Sequence, residues 1–189
     1  MIKKYKVNSN TNIKIPNNVS CIGFFDGVHI GHQALIKKTV ELAKKENVEP
    51  YLITFYPDPQ DIIFSSKTKH INSLDKRIKL FEKYGIKGVI IIEFNKDVMS
   101  IEPNKFIDKY LTKLNLKGLV CGFDFHYGFK GLGDYKSLKR DMKDVCKVYM
   151  VDEVKYYGKK VSSTRIKEEI SKGNFSLVEK LLGYKYRNE

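Results

Sequence analysis

Short, continuous apolar runs recur along this chain and alternate with longer amphipathic segments. The runs lie at 19–25, 51–56, 88–94, 119–123 and 145–151. Runs this short with so few polar residues are typical of strands that are buried on both faces of a sheet. We therefore predict five parallel strands in a single α/β domain that spans residues 1–189.

The segments between the runs have apolar residues at helical spacing. They lie at 33–46, 74–84, 103–114 and 165–182. The last segment is interrupted at 173–174, which indicates one or two terminal helices. Residues 57–73 show no clear periodicity, so we expect a long loop there, and long loops in compact domains are often functional. Strand–helix alternation of this kind places helices on both faces of a parallel sheet.

The expected ligand site follows from the order of the strands. In open parallel sheets, ligands bind beyond the carboxyl ends of the strands, where the strand order reverses. With the order 3-2-1-4-5, the first and fourth predicted strands are neighbours. The peptides that follow them, at 22–32 and 122–128, are the most unusual in the chain, and we expect them to share one crevice.

The chain is basic, with a formal net charge of +13. Such a charge is compatible with nucleic acid, a membrane surface or phosphorylated small molecules as partners. The charge is spread along the chain, however, and it comes mainly from lysine. Arginine is the residue preferred for bidentate phosphate and base contacts, so we expect no nucleic-acid partner.

Other features favour a cytoplasmic protein. No apolar stretch approaches the length that spans a bilayer, so we expect no membrane partner. The basic N-terminus has no apolar segment behind it, so we expect no secretory signal. Cys21, Cys121 and Cys146 are far apart and show no C-x-x-C spacing, so we expect three reduced, buried thiols.

Two of the four histidines lie three residues apart in I-G-F-F-D-G-V-H-I-G-H, residues 22–32. We expect His29 to end a strand-to-helix turn and His32 to lie in the first turn of the helix. Gly27 and Gly31 remove side chains where a ligand would approach the backbone. A helix N-terminus binds phosphate through free N–H groups and a partial positive charge, and two imidazoles add further donors. This arrangement suits phosphoryl or nucleotidyl transfer.

Three other interpretations of the histidines remain open. A zinc site would need a third ligand, and no nearby cysteine or carboxylate has an obvious spacing. A general base would need a serine or cysteine nucleophile, which the sequence does not place. Two structural histidines would need no ligand at all. The glycines and the strand–turn–helix context favour phosphate binding over these alternatives.

The peptide G-F-F-D-G-V-H-I-G-H resembles the H-x-G-H signature of the Rossmann-like nucleotidyltransferases. With F-D-G before the first histidine, it is similar to the adenylyltransferase module of bacterial FAD synthetases, the bifunctional riboflavin kinase/FMN adenylyltransferases. Further peptides resemble family peptides in the same order. They are T-F-Y-P-D-P (54–59), C-G-F-D-F-H-Y-G (121–128), V-S-S-T-R-I-K (161–167) and L-L-G-Y-K-Y (181–186). The resemblance covers nearly the whole chain, residues 19–186.

The resemblance implies a Rossmann-like nucleotidyltransferase fold and the reaction FMN + ATP → FAD + pyrophosphate. The FMN phosphate would attack the α-phosphorus of ATP directly, without a covalent enzyme intermediate. His29 and His32 would be the catalytic residues, because they would bind ATP phosphates and stabilise the transition state and the departing pyrophosphate. Mg²⁺ would neutralise the triphosphate. Since the sequence shows no dedicated carboxylate cluster, we expect substrate oxygens to hold the metal and assign no metal ligand.

The same resemblance implies a set of binding residues. For ATP they are Gly23, Phe24, Phe25, Asp26, Gly31, Ser163, Thr164 and Lys167. For FMN they are Pro57, Asp58, Pro59, Asp124 and Phe125. Without the resemblance, Ser-Ser-Thr would indicate only a helix N-cap and the two prolines only a loop.

This sequence departs from the family pattern at several positions. Lys167 stands where the family has an arginine, which keeps the charge but loses the fork that grips phosphate at two points. Arg165 lies two residues earlier and is expected to point elsewhere on the helix. His126 also replaces an arginine. The chain ends at Glu189, where a riboflavin kinase domain would begin in the bifunctional family. We therefore expect no kinase domain and an external source of FMN, for which a separate riboflavin kinase is the candidate.

Two other functions remain open. A nucleotidyltransferase with a different acceptor, such as nicotinamide mononucleotide or phosphopantetheine, would not need T-F-Y-P-D-P or F-D-F-H-Y-G. A catalytically weak flavin or nucleotide binder would not need His29 and His32. Screening of acceptors distinguishes the first of these from an FMN adenylyltransferase.

Overall fold

Six strands form one parallel sheet in the computed structural model, which describes residues 2–65 and 68–187. The strands are β1 (Lys3–Val7), β2 (Asn18–Ile22), β3 (Glu49–Tyr56), β4 (Gly88–Glu93), β5 (Leu116–Gly122) and β6 (Lys147–Val151). Their order across the sheet is β1-β4-β3-β2-β5-β6, and each neighbouring pair is parallel. The strand order reverses at β2, between β3 and β5.

Five of these strands, β2 to β6, confirm the predicted strands and the predicted order 3-2-1-4-5. The prediction missed β1, which pairs with β4 at the edge of the sheet. The sequence of β1 is K-K-Y-K-V, and only its last residue is buried. An edge strand of this kind has no continuous apolar run, so the criterion that identified the other strands does not detect it.

The helices separate the strands. They are α1 (Ile30–Lys45), α2 (Pro59–Ile63), α3 (Leu74–Lys83), α4 (Lys96–Ser100), α5 (Pro103–Phe106), α6 (Tyr135–Asp141), α7 (Ser163–Ser171) and α8 (Phe175–Leu182). A π turn at Ile107–Leu111 and a 3₁₀ turn at Thr112–Leu114 extend α5 to the end of the predicted helix. A short hairpin, β7 (Lys155–Tyr156) and β8 (Lys159–Lys160), precedes α7. The predicted helices are confirmed, and the interruption at 173–174 separates α7 from α8.

The expectation of a long loop at 57–73 is wrong in part. Helix α2 lies within this segment, because the Asp58 side chain accepts a hydrogen bond from the Gln60 N–H and Pro59 occupies the first helical turn. A helix of five residues is too short to show a periodicity in the sequence. Residues 66 and 67 of this segment lie outside the described residues.

The core consists of two large apolar clusters, one on each face of the sheet. Side chains of β2 alternate between them, so Cys21 faces the cluster of α1 and α3, whereas Ile22 faces the cluster of α5 and α6. A third, smaller cluster packs α7 and α8 against Ile71 and Val161. This third cluster fixes α7 beside the loop that joins β2 to α1.

The three cysteines are buried free thiols, as predicted. Burial raises the pKa of each thiol to about 12, so none of the three is a reactive thiolate at neutral pH. Within the described residues, no helix combines the length and the apolar character that a membrane crossing needs.

Candidate active site

A polar cleft of about 550 Å³ lies at the carboxyl ends of β2, β5 and β6. Residues 22–25 line one side of it and residues 122–126 line another, because β2 and β5 are neighbours in the sheet. Residues 151–154 and 160–163 complete the wall. The two unusual peptides therefore share one crevice, as predicted. We call it the nucleotide cleft.

The loop from β2 to α1 makes a sharp turn with an uncommon backbone. Phe25, Gly27 and Val28 have φ angles of 61°, 80° and 41°. Residues other than glycine rarely adopt this left-handed region, and such residues cluster at functional sites. Gly27 is required for a second reason, since a Cβ atom there would lie 2.9 Å from Cδ1 of Ile71. The turn exposes the N-terminus of α1 to the cleft.

His29 is the N-cap residue of α1. Its Nδ1 accepts a hydrogen bond from the His32 N–H at 3.3 Å, so the proton of the neutral ring is on Nε2. The rings of His29 and His32 stack with centroids 3.6 Å apart. Gly31 permits this arrangement, because a Cβ atom at this position would lie 3.1 Å from Nδ1 of His29. Both histidines line the nucleotide cleft at the positions that the sequence predicted.

Burial lowers the pKa of both histidines. It lowers the pKa of His29 to about 4. It lowers the pKa of His32 well below the ordinary value, and the positive charges of His29 and Arg77 lower it further. The two rings are therefore neutral at pH 7 and offer N–H donors without a full positive charge.

Asp26 connects the loop to its surroundings. Its Oδ1 accepts hydrogen bonds from the N–H groups of Ile71 at 2.9 Å and Asn72 at 3.3 Å. Its Oδ2 lies 2.9 Å from Nζ of Lys167, and its backbone carbonyl accepts a hydrogen bond from Oγ of Ser163 at 2.8 Å. The carboxylate is almost fully buried, with 3% of its surface exposed. The side chain of Asp26 thus positions two elements around the loop.

A second cleft of about 550 Å³ adjoins the first, and we call it the phosphate cleft. Ser163, Thr164 and Lys167 line it from α7. Phe25 and His32 line both clefts, so the two are continuous. The N-cap of α7 is Ser162, whose side chain accepts a hydrogen bond from the Arg165 N–H. The N-cap interpretation of Ser-Ser-Thr therefore applies to Ser162 and leaves the next two residues free to face the cleft.

Lys167 and Arg165 point in different directions, as expected for residues two apart on a helix. Lys167 lines the phosphate cleft and pairs with Asp26. NH1 of Arg165 lies within hydrogen-bond distance of the carbonyls of Tyr156, Lys159 and Lys160. Arg165 therefore holds the β7–β8 hairpin and does not substitute for the family arginine.

An apolar cavity of about 420 Å³ opens beside the nucleotide cleft. It is lined by Phe55, Pro59, Ile63, Phe94, Val98, Met99, Phe106 and residues 126–131. Phe55, Pro59 and His126 line both the cavity and the nucleotide cleft, so the two spaces are connected. We call it the apolar cavity.

The residues expected to bind FMN do not all reach this cavity. Pro59 lines it, whereas Asp124 and Phe125 line the nucleotide cleft and Asp58 lines the phosphate cleft. Pro57 is not among the described residues that line any of these three spaces. The apolar side chains of α4 and of Phe129 lie outside the quoted family peptides, so no local motif indicated them.

Two basic residues of the site were missed at the sequence level. Arg77 of α3 is 2% exposed, donates a hydrogen bond of 2.8 Å to the Phe24 carbonyl and lies 4.5 Å above the Phe24 ring. Burial lowers the pKa of its guanidinium. Lys160 lines the nucleotide cleft, where its ammonium pairs with Asp124 and lies 4.7 Å from the Phe123 ring. A signal for Arg77 did exist, since it lies four residues before the buried Phe81 on a lysine-rich helix, and residues at this spacing share a helix face.

The C-terminal L-L-G-Y peptide contacts the histidine loop. The Tyr184 hydroxyl lies 2.6 Å from the Gly27 carbonyl and 2.8 Å from Oδ1 of Asn72. Nε2 of Gln33 donates hydrogen bonds to the carbonyls of Val28 and Leu182. The peptide at the end of the family resemblance therefore supports the turn that presents His29.

Folding also brings together acidic and imidazole groups that are separate in the sequence. Asp58, Asp61 and His70 can each offer one ligand atom, and these atoms lie within 4.8 Å of one another. The sequence shows no dedicated carboxylate cluster, whereas the folded chain places these three side chains together. Burial raises the pKa of Asp58. The residues come from α2 and from the segment before α3, so only the folded chain reveals the cluster.

Together, the strand order, the H-x-G-H turn and the continuous clefts are typical of the Rossmann-like nucleotidyltransferase fold. The comparison with known families is consistent with this class. The chain belongs to the FAD synthetase family, whose family model matches residues 12–165.

Individual relatives are similar over most of the chain. A bifunctional riboflavin kinase/FMN adenylyltransferase of Listeria monocytogenes is 33% identical over 172 residues, which are 90% of this chain and 55% of the relative. A FAD synthetase of the same organism is 35% identical over 176 residues, which are 88% of this chain and 68% of the relative. The chain thus spans about half the length of the first of these relatives.

A solved structure has the same fold. The crystal structure of a macrolide-efflux protein from Streptococcus pneumoniae matches with a TM-score of 0.87 and 27% identity. The match covers 97% of this chain and 62% of that one.

Proposed function

We propose that the protein is an FMN adenylyltransferase, which transfers AMP from ATP to FMN and releases FAD and pyrophosphate. One observation carries the proposal beyond family membership. The polar cleft at His29 and His32 opens directly into an apolar cavity through Phe55, Pro59 and His126. An anionic nucleotide and an aromatic acceptor can therefore meet at the histidines.

ATP would bind in the two polar clefts. Its adenosine would lie along the backbone of 23–26, and its α-phosphate would lie at the N-terminus of α1 beside His29 and His32. The distal phosphates would enter the phosphate cleft, where Ser163, Thr164 and Lys167 supply donors and a positive charge.

The flavin ring of FMN would occupy the apolar cavity. Its volume of about 420 Å³ is within the usual range for a small-molecule pocket, and aromatic and aliphatic side chains form most of its wall. The phosphate of FMN would then point through the opening at His126 toward the nucleotide cleft. Asp124 and Phe125 lie along this path.

In the reaction, a phosphate oxygen of FMN attacks the α-phosphorus of ATP. A new P–O bond forms, the bond between the α-phosphorus and the bridging oxygen breaks, and pyrophosphate leaves. The Nε2–H group of His29 would donate to the oxygens on which negative charge develops, and His32 would assist it. The scheme needs no protein nucleophile, and the three buried thiols, with pKa values of about 12, do not supply one.

A divalent cation belongs to this proposal. When bound, Mg²⁺ neutralises the charge of the triphosphate. Asp58 lines the phosphate cleft and forms a cluster with Asp61 and His70, and Nδ1 of His70 is buried without a hydrogen-bond partner among the described residues. Carboxylates next to a phosphate site fit a divalent cation, so these residues are the candidates to hold it.

The proposal extends to the cellular setting. We propose that the protein acts in the cytoplasm, where ATP is available and the thiols stay reduced. A separate riboflavin kinase would supply the FMN.

Chromatographic detection of FAD after incubation of the protein with FMN, ATP and Mg²⁺ tests the proposed function. Parallel incubations replace FMN by nicotinamide mononucleotide or phosphopantetheine. We expect an adenylylated product in the incubation with FMN and in neither of the other two. A product with either of the other acceptors but not with FMN would assign the chain to a different nucleotidyltransferase reaction.

A further inference from the structure

The cluster of Asp58, Asp61 and His70 has the composition and spacing of a small metal site. Oδ2 of Asp58 lies 3.3 Å from Nδ1 of His70, and Oδ2 of Asp61 lies 3.9 Å from Nε2 of the same ring. One donor atom from each residue can be chosen so that all three lie within 4.8 Å. A small contraction of the three side chains brings their donors to one cation.

One donor atom of the cluster has unmet polar capacity. Asp58 is 4% exposed, its Oδ1 accepts the Gln60 N–H at 2.7 Å, and its Oδ2 faces Nδ1 of His70 at 3.3 Å. This Nδ1 is buried and has no hydrogen-bond partner among the described residues. Buried polar atoms are nearly always satisfied by a partner, so this nitrogen is available as a ligand atom for a cation.

The charges around the cluster also call for a cation. Three carboxylates, those of Asp26, Asp58 and Glu168, line the phosphate cleft. Among the described residues that line it, the basic ones are Lys167 and His32. Lys167 is already paired with Asp26. A polyphosphate in this cleft would meet the carboxylate of Asp58 at short range, and like charges this close repel strongly in a partly buried site. A cation between them reverses the sign of the interaction.

We propose that Asp58, Asp61 and His70 form a binding site for a divalent cation that accepts both oxygen and nitrogen ligands. Mg²⁺ prefers oxygen ligands alone, whereas Mn²⁺ and Zn²⁺ also take imidazole. The site therefore binds Mn²⁺ in the absence of nucleotide and binds Mg²⁺ less tightly. That this cation serves the phosphates of a bound nucleotide rests on the proposed function, but its binding to the free protein does not.

Titration of the nucleotide-free protein with Mn²⁺, followed by electron paramagnetic resonance, tests the proposal. We expect one Mn²⁺ ion per chain, displaced by Zn²⁺ at lower concentration than by Mg²⁺. Asp61→Asn and His70→Gln each remove one ligand and should weaken the binding by about tenfold or more. Asp97→Asn, a change at an exposed carboxylate at the start of α4, is the matched control and should bind Mn²⁺ like the wild type.

The outcomes separate this inference from the proposed function. Circular dichroism first establishes that each variant is folded. Two ligand variants are tested, so that one still reports on the site if the other fails to fold. Absence of bound Mn²⁺ on the wild type, or equal binding by the wild type and both ligand variants, would overturn the metal site and leave His70 as an ion-pair partner of the two carboxylates. Because FAD formation is measured separately with Mg²⁺ and ATP, a protein that makes FAD without binding Mn²⁺ refutes only the metal site.

Discussion

His29 has two nitrogens with separate roles, and one substitution separates them. Nδ1 caps α1 by accepting the His32 N–H, which leaves Nε2–H as the donor available to a ligand. In His29→Asn, the amide oxygen can accept the same N–H, because asparagine is among the best N-cap residues. The variant therefore keeps the cap and loses the donor, whereas His29→Ala loses both.

The magnitudes follow from these two roles. Loss of an N-cap costs about 1 kcal/mol, which lowers the melting temperature of a domain of this size by about 2–4 °C. Both variants lose the stacking on His32 equally, so the Asn variant should melt about 2–4 °C above the Ala variant. Loss of one donor to an oxygen that develops charge in the transition state lowers kcat by about 10²–10³-fold. The two variants should therefore differ in stability but be similarly inactive.

The assay measures initial rates of FAD formation by chromatography, with thermal unfolding followed by circular dichroism on the same samples. The reasoning fails if the Asn variant forms FAD within about threefold of the wild-type rate while the Ala variant does not, a difference of under 1 kcal/mol in activation free energy. That result would make His29 a structural cap. It would move the catalytic role to His32 or to the basic residues of the clefts.

Two further predictions address the pH dependence and the phosphate cleft. Burial lowers the pKa of His29 to about 4, whereas a histidine in the unfolded chain has a pKa of about 6.5. Between these pH values the unfolded chain binds more protons than the native state. The native state therefore loses stability as the pH falls through this window. The part of this loss that is due to His29 should amount to about 3 kcal/mol between pH 7 and pH 4. Burial also lowers the pKa of His32, which titrates in both proteins, so the loss measured by denaturant titration should be about 3 kcal/mol smaller in His29→Asn than in the wild type. Parallel curves for the two proteins would contradict it. Lys167→Met removes the positive charge of the phosphate cleft and should weaken ATP binding, measured by calorimetry, by about tenfold or more. Lys172→Met, at the end of the same helix, is the control and should bind ATP like the wild type. Equal affinities of the two variants for ATP would contradict the role of Lys167.

Most of the sheet was predictable because its strands are buried on both faces. The runs at 51–56 and 88–94 are apolar except for Thr54 and Glu93, and this pattern alone identifies β3 and β4 in the centre of a parallel sheet. Strand β1 was not predictable in this way, because an edge strand needs to bury little of its surface. The short helix α2 was missed for a related reason, since one turn and a half cannot show a helical period.

The histidine turn was predictable because its chemistry is local. The cap, the stacked rings and the glycine that accommodates them all lie within 29–32. The contribution of Arg77 was not predictable, because its hydrogen bond to Phe24 joins residues that are 53 positions apart. The same applies to His70, which meets Asp58 and Asp61 only when the segment before α3 folds over α2.

The acceptor site shows the limit of motif reasoning. T-F-Y-P-D-P lies at the carboxyl end of β3, and Pro59 lines the apolar cavity, but Asp58 faces the phosphate cleft instead. A motif indicates which segment approaches a ligand, whereas the direction of each side chain depends on the local backbone conformation. Here Asp58 turns to cap α2, and this capping determines where its carboxylate lies.

The transfer of AMP to FMN in the connected clefts is tested most directly with ATP that carries a radioactive label on its α-phosphate. The protein is incubated with this ATP, FMN and Mg²⁺, and the flavin product, the pyrophosphate and the protein are separated. The account predicts that the label appears in FAD, that pyrophosphate is unlabelled and that no label stays on the protein after denaturation. Label on the protein would contradict direct attack by FMN, and the absence of labelled FAD under conditions in which both substrates bind would contradict the proposed activity itself.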